Sequence, residues 1–165
     1  MTSKIVVQCA QLLIDKNLKI AFAESATAGR LAAEFSLAEN AGDCLLGGLV
    51  CYDACIKQNL LNVPEALIDQ FTAESAEVTK AITSGLKKYF DADIVVGVTG
   101  LAKPGGSETP QKPVGTMFFH FIIHGQSYTH REVFKGAAEE IILQAIDRIA
   151  QLVIQYLKQA DTQLQ

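Results

Sequence analysis

The sequence predicts an α/β domain built on a mixed sheet of about five strands with helices covering both faces. Three observations carry that expectation. Short apolar runs alternate with amphipathic helical stretches, a hairpin pattern follows them, and one long helical pattern closes the chain. With 165 residues, 49% of them hydrophobic and 19% charged, the chain can bury one substantial core. Neither a composition break nor an internal repeat divides it, so it reads as one domain over 1–165.

The elements follow in order. Helical periodicity runs over 3–17, and the apolar run 20–23 reads as a short buried strand. A second helical pattern, rich in alanine and leucine, spans 27–37. The stretch 45–52 is apolar with Gly47 and Gly48 inside it, which suits a strand in close backbone contact with a neighbour. Asp53 is a good cap for a short helix through Leu61, and Pro64 suits the first turn of another. A longer helix over 74–90 has Thr72 or Ser75 as cap and Lys87 and Lys88 in its last turn. The run 94–98 is the clearest core strand, and a loop over 100–113 with three prolines and several glycines succeeds it. Runs 114–124 and 127–134 form a hairpin across Gly125 and Gln126, and 137–158 is the closing helix.

Composition excludes several function classes. The net charge is −4 and the fourteen lysines and arginines are scattered, so the electrostatic footprint of a nucleic-acid binder is missing. No apolar run is long enough to span a bilayer. Gln8, Gln11 and Asp15 interrupt the first segment, making it an amphipathic helix rather than a signal peptide. Cys9, Cys44, Cys51 and Cys55 lie in apolar surroundings without the spacing of a disulfide framework, which points to a reducing compartment, the cytoplasm. No cofactor and no metal is expected. His120 and His124, four apart on a strand, stand roughly 13 Å from one another, too far to share an ion.

Two motif matches fail on context. Residues 100–107 nearly spell a phosphate-binding P-loop, but Gly106 stands where the lysine belongs and Pro110 follows where a helix must begin. What survives is a glycine-rich loop able to present several backbone N–H groups to an anion, beside the plain alternative of a surface loop. Ser84 and Lys87 match a Ser-x-x-Lys pattern inside an amphipathic helix, with none of its companion motifs present. The turn Glu24-Ser25-Ala26-Thr27-Ala28-Gly29 carries more weight. It places polar residues and a glycine at the carboxyl end of a buried strand, where open sheets put their ligands. Simple N-capping by Ser25 or Thr27 explains one hydroxyl there, but not Glu24, Ser25 and Thr27 together.

Together with that turn come Gly47, Gly48 and Tyr52, the last five residues before Lys57. Val98-Thr99-Gly100, Pro104-Gly105-Gly106 and Lys112-Pro113-Val114-Gly115-Thr116 follow in order. This combination resembles the C-terminal domain family of the competence-damage protein CinA, across about 3–158. The resemblance implies a three-layer α/β/α sandwich with a mixed, mainly parallel sheet, commonly a homodimer or higher homo-oligomer. It also implies a metal-free amidohydrolase, because stand-alone members include one that turns nicotinamide mononucleotide into nicotinate mononucleotide and ammonia. The partner is then a small nucleotide substrate. The family's serine falls on Ser25, its tyrosine on Tyr52 and its lysine on Lys57. The remaining motif positions, Thr27, Gly29, Gly47, Gly48, Thr99, Gly100, Gly105, Gly106, Ser107 and Lys112, are the candidates for binding substrate. Larger members carry a further N-terminal domain with pyrophosphatase activity, which is not expected of this chain. Where the family usually has Glu-Ser-Cys-Thr-Gly-Gly, this chain has Ala26 and Ala28, and Lys103 replaces a glycine before Pro104.

These residue types suit amide hydrolysis, which needs an activated nucleophile, oxyanion stabilisation and a proton for departing ammonia. Ser25 is the candidate nucleophile. Spacing leaves a Ser–His pair with one of the hairpin-region histidines open, though nothing positions one, and Ser–Lys is the more economical pair. Lys57 serves as base only if burial or a neighbouring cation brings its pKa well down; taken alone, it reads as a surface lysine. Tyr52 holds the lysine or relays a proton. Amides at the start of the helix after Ser25 are the expected oxyanion donors, and the loop 105–109 with Lys112 is the expected phosphate site. The alternative is a catalytically weak nucleotide-binding or regulatory module on the same fold, and a purely structural dimerisation role is a third reading.

Overall fold

The computed structural model describes residues 2–163. Helix α1 (Lys4–Asp15) begins where the Ser3 side chain accepts the Val6 amide, and it buries Val6, Cys9, Ala10 and Leu13 along one face. Strand β1 (Ile20–Glu24) follows, with all five residues buried. Then come α2 (Arg30–Ser36), β2 (Leu45–Val50), α3 (Ala54–Leu61), α4 (Glu65–Phe71) and α5 (Ala76–Leu86). The chain continues through β3 (Ile94–Gly100), β4 (Thr116–Ile123) and β5 (Gln126–Val133) to α6 (Ala138–Gln163).

The five strands form one sheet in the order β2-β1-β3-β4-β5. β1 pairs parallel with β2 and β3, while β3–β4 and β4–β5 are antiparallel. Only β4 therefore opposes the other strands, and the sheet is mixed but mainly parallel in direction. Because side chains alternate along a strand, Ile20 and Phe22 point to one face and Ala21 and Ala23 to the other. The first face meets α1, α2 and α6 in the larger core, with Leu13, Leu31, Phe35, Ile149 and Val153. The second meets α3 and α5 through Leu61, Val78, Ile82 and Leu86, with Leu67 and Ile68 of α4 packed on its margin. Small residues let α5 sit close: a side-chain carbon at Gly97 would lie 2.1 Å from Thr83 Oγ1. The result is the expected α/β/α sandwich.

Several boundaries differ from the periodicity, three of them for a clear backbone reason. α2 starts at Arg30 rather than at residue 27, because Ala28 (φ 48°) and Gly29 (φ 93°) take left-handed conformations that hold 25–29 as a turn. α5 stops at Leu86, and the amides of Lys87, Lys88 and Tyr89 bond three residues back, so the two lysines fall beyond the helix. The β4–β5 turn is His124-Gly125, both with positive φ, the geometry of a tight twisted hairpin, and Gln126 already belongs to β5. Pro64 is the cap of α4 rather than its first helical residue.

Candidate active site

The sheet ladder assembles the site. The Ser25 amide donates to Val98 O at 3.0 Å and the Cys51 amide to Glu24 O at 2.8 Å, so the ends of β1, β2 and β3 stay in register one residue beyond the strands. The carboxyl ends of parallel neighbours thus bring Ser25 beside Cys51 and Tyr52. Asp53 then caps α3 by accepting the Cys55 amide, and one turn later Lys57 folds back under the strand ends.

Lys57 is only 1% exposed. Its Nζ lies 3.0 Å from Ser25 Oγ, 2.6 Å from Cys51 O and 2.9 Å from Tyr52 O. Burial lowers its pKa; neighbouring Cys51 and the more distant charges of Glu74 and Asp53 oppose that shift without cancelling it. As an ammonium Lys57 donates to all three; with one proton gone, two N–H groups keep the two carbonyls and the lone pair faces the Ser25 hydroxyl. The Cys51 thiol next to this pair is pushed up to about 11 by burial, so it is no competing nucleophile.

Glu24 fixes the turn that carries Ser25. It is 1% exposed. Its Oε2 accepts the Thr27 hydroxyl at 2.6 Å and the Gly29 and Leu31 amides at 2.9 and 3.0 Å, and its Oε1 accepts the Ala32 amide at 2.9 Å. This carboxylate caps α2 from a position inside the sheet. It takes up the Gly29, Leu31 and Ala32 amides, which narrows the expected oxyanion donors to those nearest Ser25. The Ala26 and Thr27 amides, directly after Ser25, have no acceptor among the described residues. The sequence alone gives Glu24 no distinct role, although a carboxylate ending a buried strand just before a turn full of amide donors signals one.

A cavity of about 430 Å³ opens above Ser25, within the range of small-ligand sites. Ala26, Ala28, Tyr52, Glu74 and the loop 100–106 line it, and Ala138 and Ile142 of α6 close one side. Gly100, Gly105 and Gly106 are therefore at the cavity. A side-chain carbon at Gly100 would meet Thr116 O at 2.6 Å, so glycine is needed where β3 leaves the sheet. Tyr52 is 59% exposed, and it is its backbone carbonyl, not its hydroxyl, that holds Lys57.

Other candidates lie elsewhere. Gly47 and Gly48 sit within β2, paired with Ala21 and Phe22, away from the cavity. A side-chain carbon at Gly48 would lie 2.4 Å from Phe22 O, so this glycine serves the close approach of two strands. Thr27 and Gly29 are bound to Glu24, and Thr99 is fully buried against the Thr79 hydroxyl at 2.8 Å. Lys112 spends its three protons on Thr72 Oγ1, Glu74 O and Ser107 Oγ at 2.7, 2.9 and 2.7 Å. Lys112 and Ser107 brace the base of the loop rather than waiting for a phosphate. Burial lowers the Lys112 pKa as well.

A three-layer α/β domain with a buried serine–lysine pair at the carboxyl ends of its parallel strands is the class that this fold and geometry define. The comparisons narrow it. The CinA C-terminal domain model matches residues 2–157, and the chain belongs to that family. A CinA-like protein of Mycobacterium marinum is 43% identical over 133 residues, 80% of this chain and 31% of its own length. One from Petrotoga mobilis is 38% identical over 131 residues, 79% of this chain and 32% of its own. The chain thus spans about a third of the curated relatives it matches. Among solved structures, a CinA superfamily protein from Klebsiella pneumoniae superposes with a TM-score of 0.89 at 27% identity, covering 94% of this chain and 97% of that one. One from Escherichia coli gives 0.83 at 29% identity, covering 91% and 88%. Among the described residues, no helix is long and apolar enough to cross a membrane.

Proposed function

We propose that this chain is an amidohydrolase that deamidates nicotinamide mononucleotide to nicotinate mononucleotide and ammonia, a salvage step in the cytoplasm. The observation that carries the reading is the 3.0 Å contact between Lys57 Nζ and Ser25 Oγ, with both carbonyl acceptors on the lysine satisfied. Neutral Lys57 takes the Ser25 proton as Oγ attacks the carboxamide carbon. The Ala26 and Thr27 amides stabilise the oxyanion as it forms. The lysine then returns its proton to the nitrogen, ammonia leaves, and water hydrolyses the acyl-serine by the same steps in reverse.

The test is ammonia release from nicotinamide mononucleotide. Wild type is expected to turn over, and Ser25→Ala to lose at least about 10²-fold in rate. Equal rates for the two proteins would end the proposal. Tight mononucleotide binding with no ammonia release would instead make the chain a binding module on the same fold.

A further inference from the structure

The loop after β3 holds an anion already, and the anion is part of the chain. The Gly105 and Gly106 amides each donate to one carboxylate oxygen of Glu108, both at 2.8 Å. Gly105 has φ +99°, a conformation that favours glycine, while a side-chain carbon at Gly106 would lie 2.6 Å from Leu101 Cδ2, the movable end of that side chain. Successive amides converging on one point form an anion-binding concavity, which accepts a carboxylate or a phosphate alike. The same two glycines line the cavity above Ser25, next to Lys103 at its rim.

The rest of the loop is arranged so that the anion can change while the amides stay. Its base is pinned by the Lys112 contacts to Ser107, Thr72 and Glu74 and by reciprocal backbone bonds between Thr109 and Lys112. Glu108 is exposed and makes no ion pair among the described residues. Its carboxylate can therefore swing into water by side-chain rotation alone.

We propose that the Gly105–Gly106 amide pair is an anion subsite of the Ser25 cavity that takes a phosphate monoester, and that Glu108 is its built-in competing occupant. The proposal rests on the reading above for the identity of the ligand. A phosphate brings more charge and a third oxygen to the amides, and Lys103 stands close by to favour it. Glu108 meanwhile keeps the empty subsite satisfied and closed to weaker anions. Binding is then a replacement, and apparent affinity is reduced by the fraction of time that Glu108 is in place.

The probe is inorganic phosphate, titrated into the isotope-labelled full chain while the Gly105 and Gly106 amide resonances are followed. In wild type those two amides are expected to shift. In Glu108→Ala the dissociation constant is expected to fall about tenfold, as for an occupant present roughly nine-tenths of the time. Glu108→Gln keeps the shape and loses the charge, so it should fall between the two and covers the case of a loop disturbed by alanine. Glu39→Ala, which removes one exposed negative charge elsewhere, controls for net charge. Loop amides that ignore phosphate overturn the proposal, as does a gain no larger in both Glu108 variants than in Glu39→Ala. The readout is independent of turnover: a chain that binds phosphate this way yet releases no ammonia would refute the proposed activity and leave the subsite standing.

Discussion

Lys57 shows how a side chain's role is decided by what surrounds it. A lysine on a short helix is ordinarily solvated, and composition favours that reading. Here the amine is held under the strand ends by the Cys51 and Tyr52 carbonyls, with burial lowering its pKa below the ordinary 10.5. Replacing it by methionine keeps the volume and removes the base, so turnover should fall by about 10²- to 10⁴-fold. Two pH effects follow. The rate should rise with pH as Lys57 loses its proton, levelling at a midpoint below 10.5. Stability has the same sign. The folded state binds the proton more weakly than the unfolded chain, so the cost of burying the charge is full below the folded pKa and is relieved as pH rises towards 10.5. Wild type should therefore gain stability over Lys57→Met across that window in denaturant titrations, and parallel curves would refute the assignment. Ser25 and Lys57 were both legible as motif positions. Their contact was not, because it depends on a ladder bond between Cys51 and Glu24 that no local pattern encodes.

At the scale of elements, the turn between β1 and α2 was legible as a site but misread as a helix start. Its alanine-rich composition suits a helix, and nothing in that composition marks Ala28 and Gly29 as left-handed. The buried Glu24 carboxylate decides the matter by gathering a hydroxyl and three amides around it. Gly47 and Gly48 show the converse. Two glycines in an apolar run suggest close approach, and the approach is of strand to strand rather than protein to ligand. Removing the clasp should unseat α2. Glu24→Ala leaves several donors inside the structure without an acceptor, a loss of about 3 kcal/mol or more. Thermal unfolding should move down by roughly 6–12 °C for a chain of this size. Ser25 should also lose reactivity towards a fluorophosphonate in the fraction still folded, since its turn is no longer fixed. A variant that melts as wild type does would show that the clasp does not hold α2.

Over the whole molecule, the alternation of apolar runs with helical patterns carried the architecture because each strand must be covered on both faces. The strand order was not legible, since it is set by which faces meet across the sheet and not by local propensity. The outcome is two cores that share every central strand. Phe22 and Val96 belong to the larger and Ala21 and Val95 to the smaller, so neither core survives the loss of the other. That coupling predicts a single unfolding transition, with fluorescence and circular dichroism coinciding. It also predicts that damage far from the site reaches activity only through global unfolding. Ile149, fully buried where α6 crosses the larger core, lies seven residues beyond Ile142, which lines the cavity. Ile149→Ala should cost about 2–5 kcal/mol. The loss should appear as one transition at lower denaturant with an unchanged slope, and turnover should fall only as the folded fraction falls. Two separated transitions would mean that the helical layers hold the sheet independently.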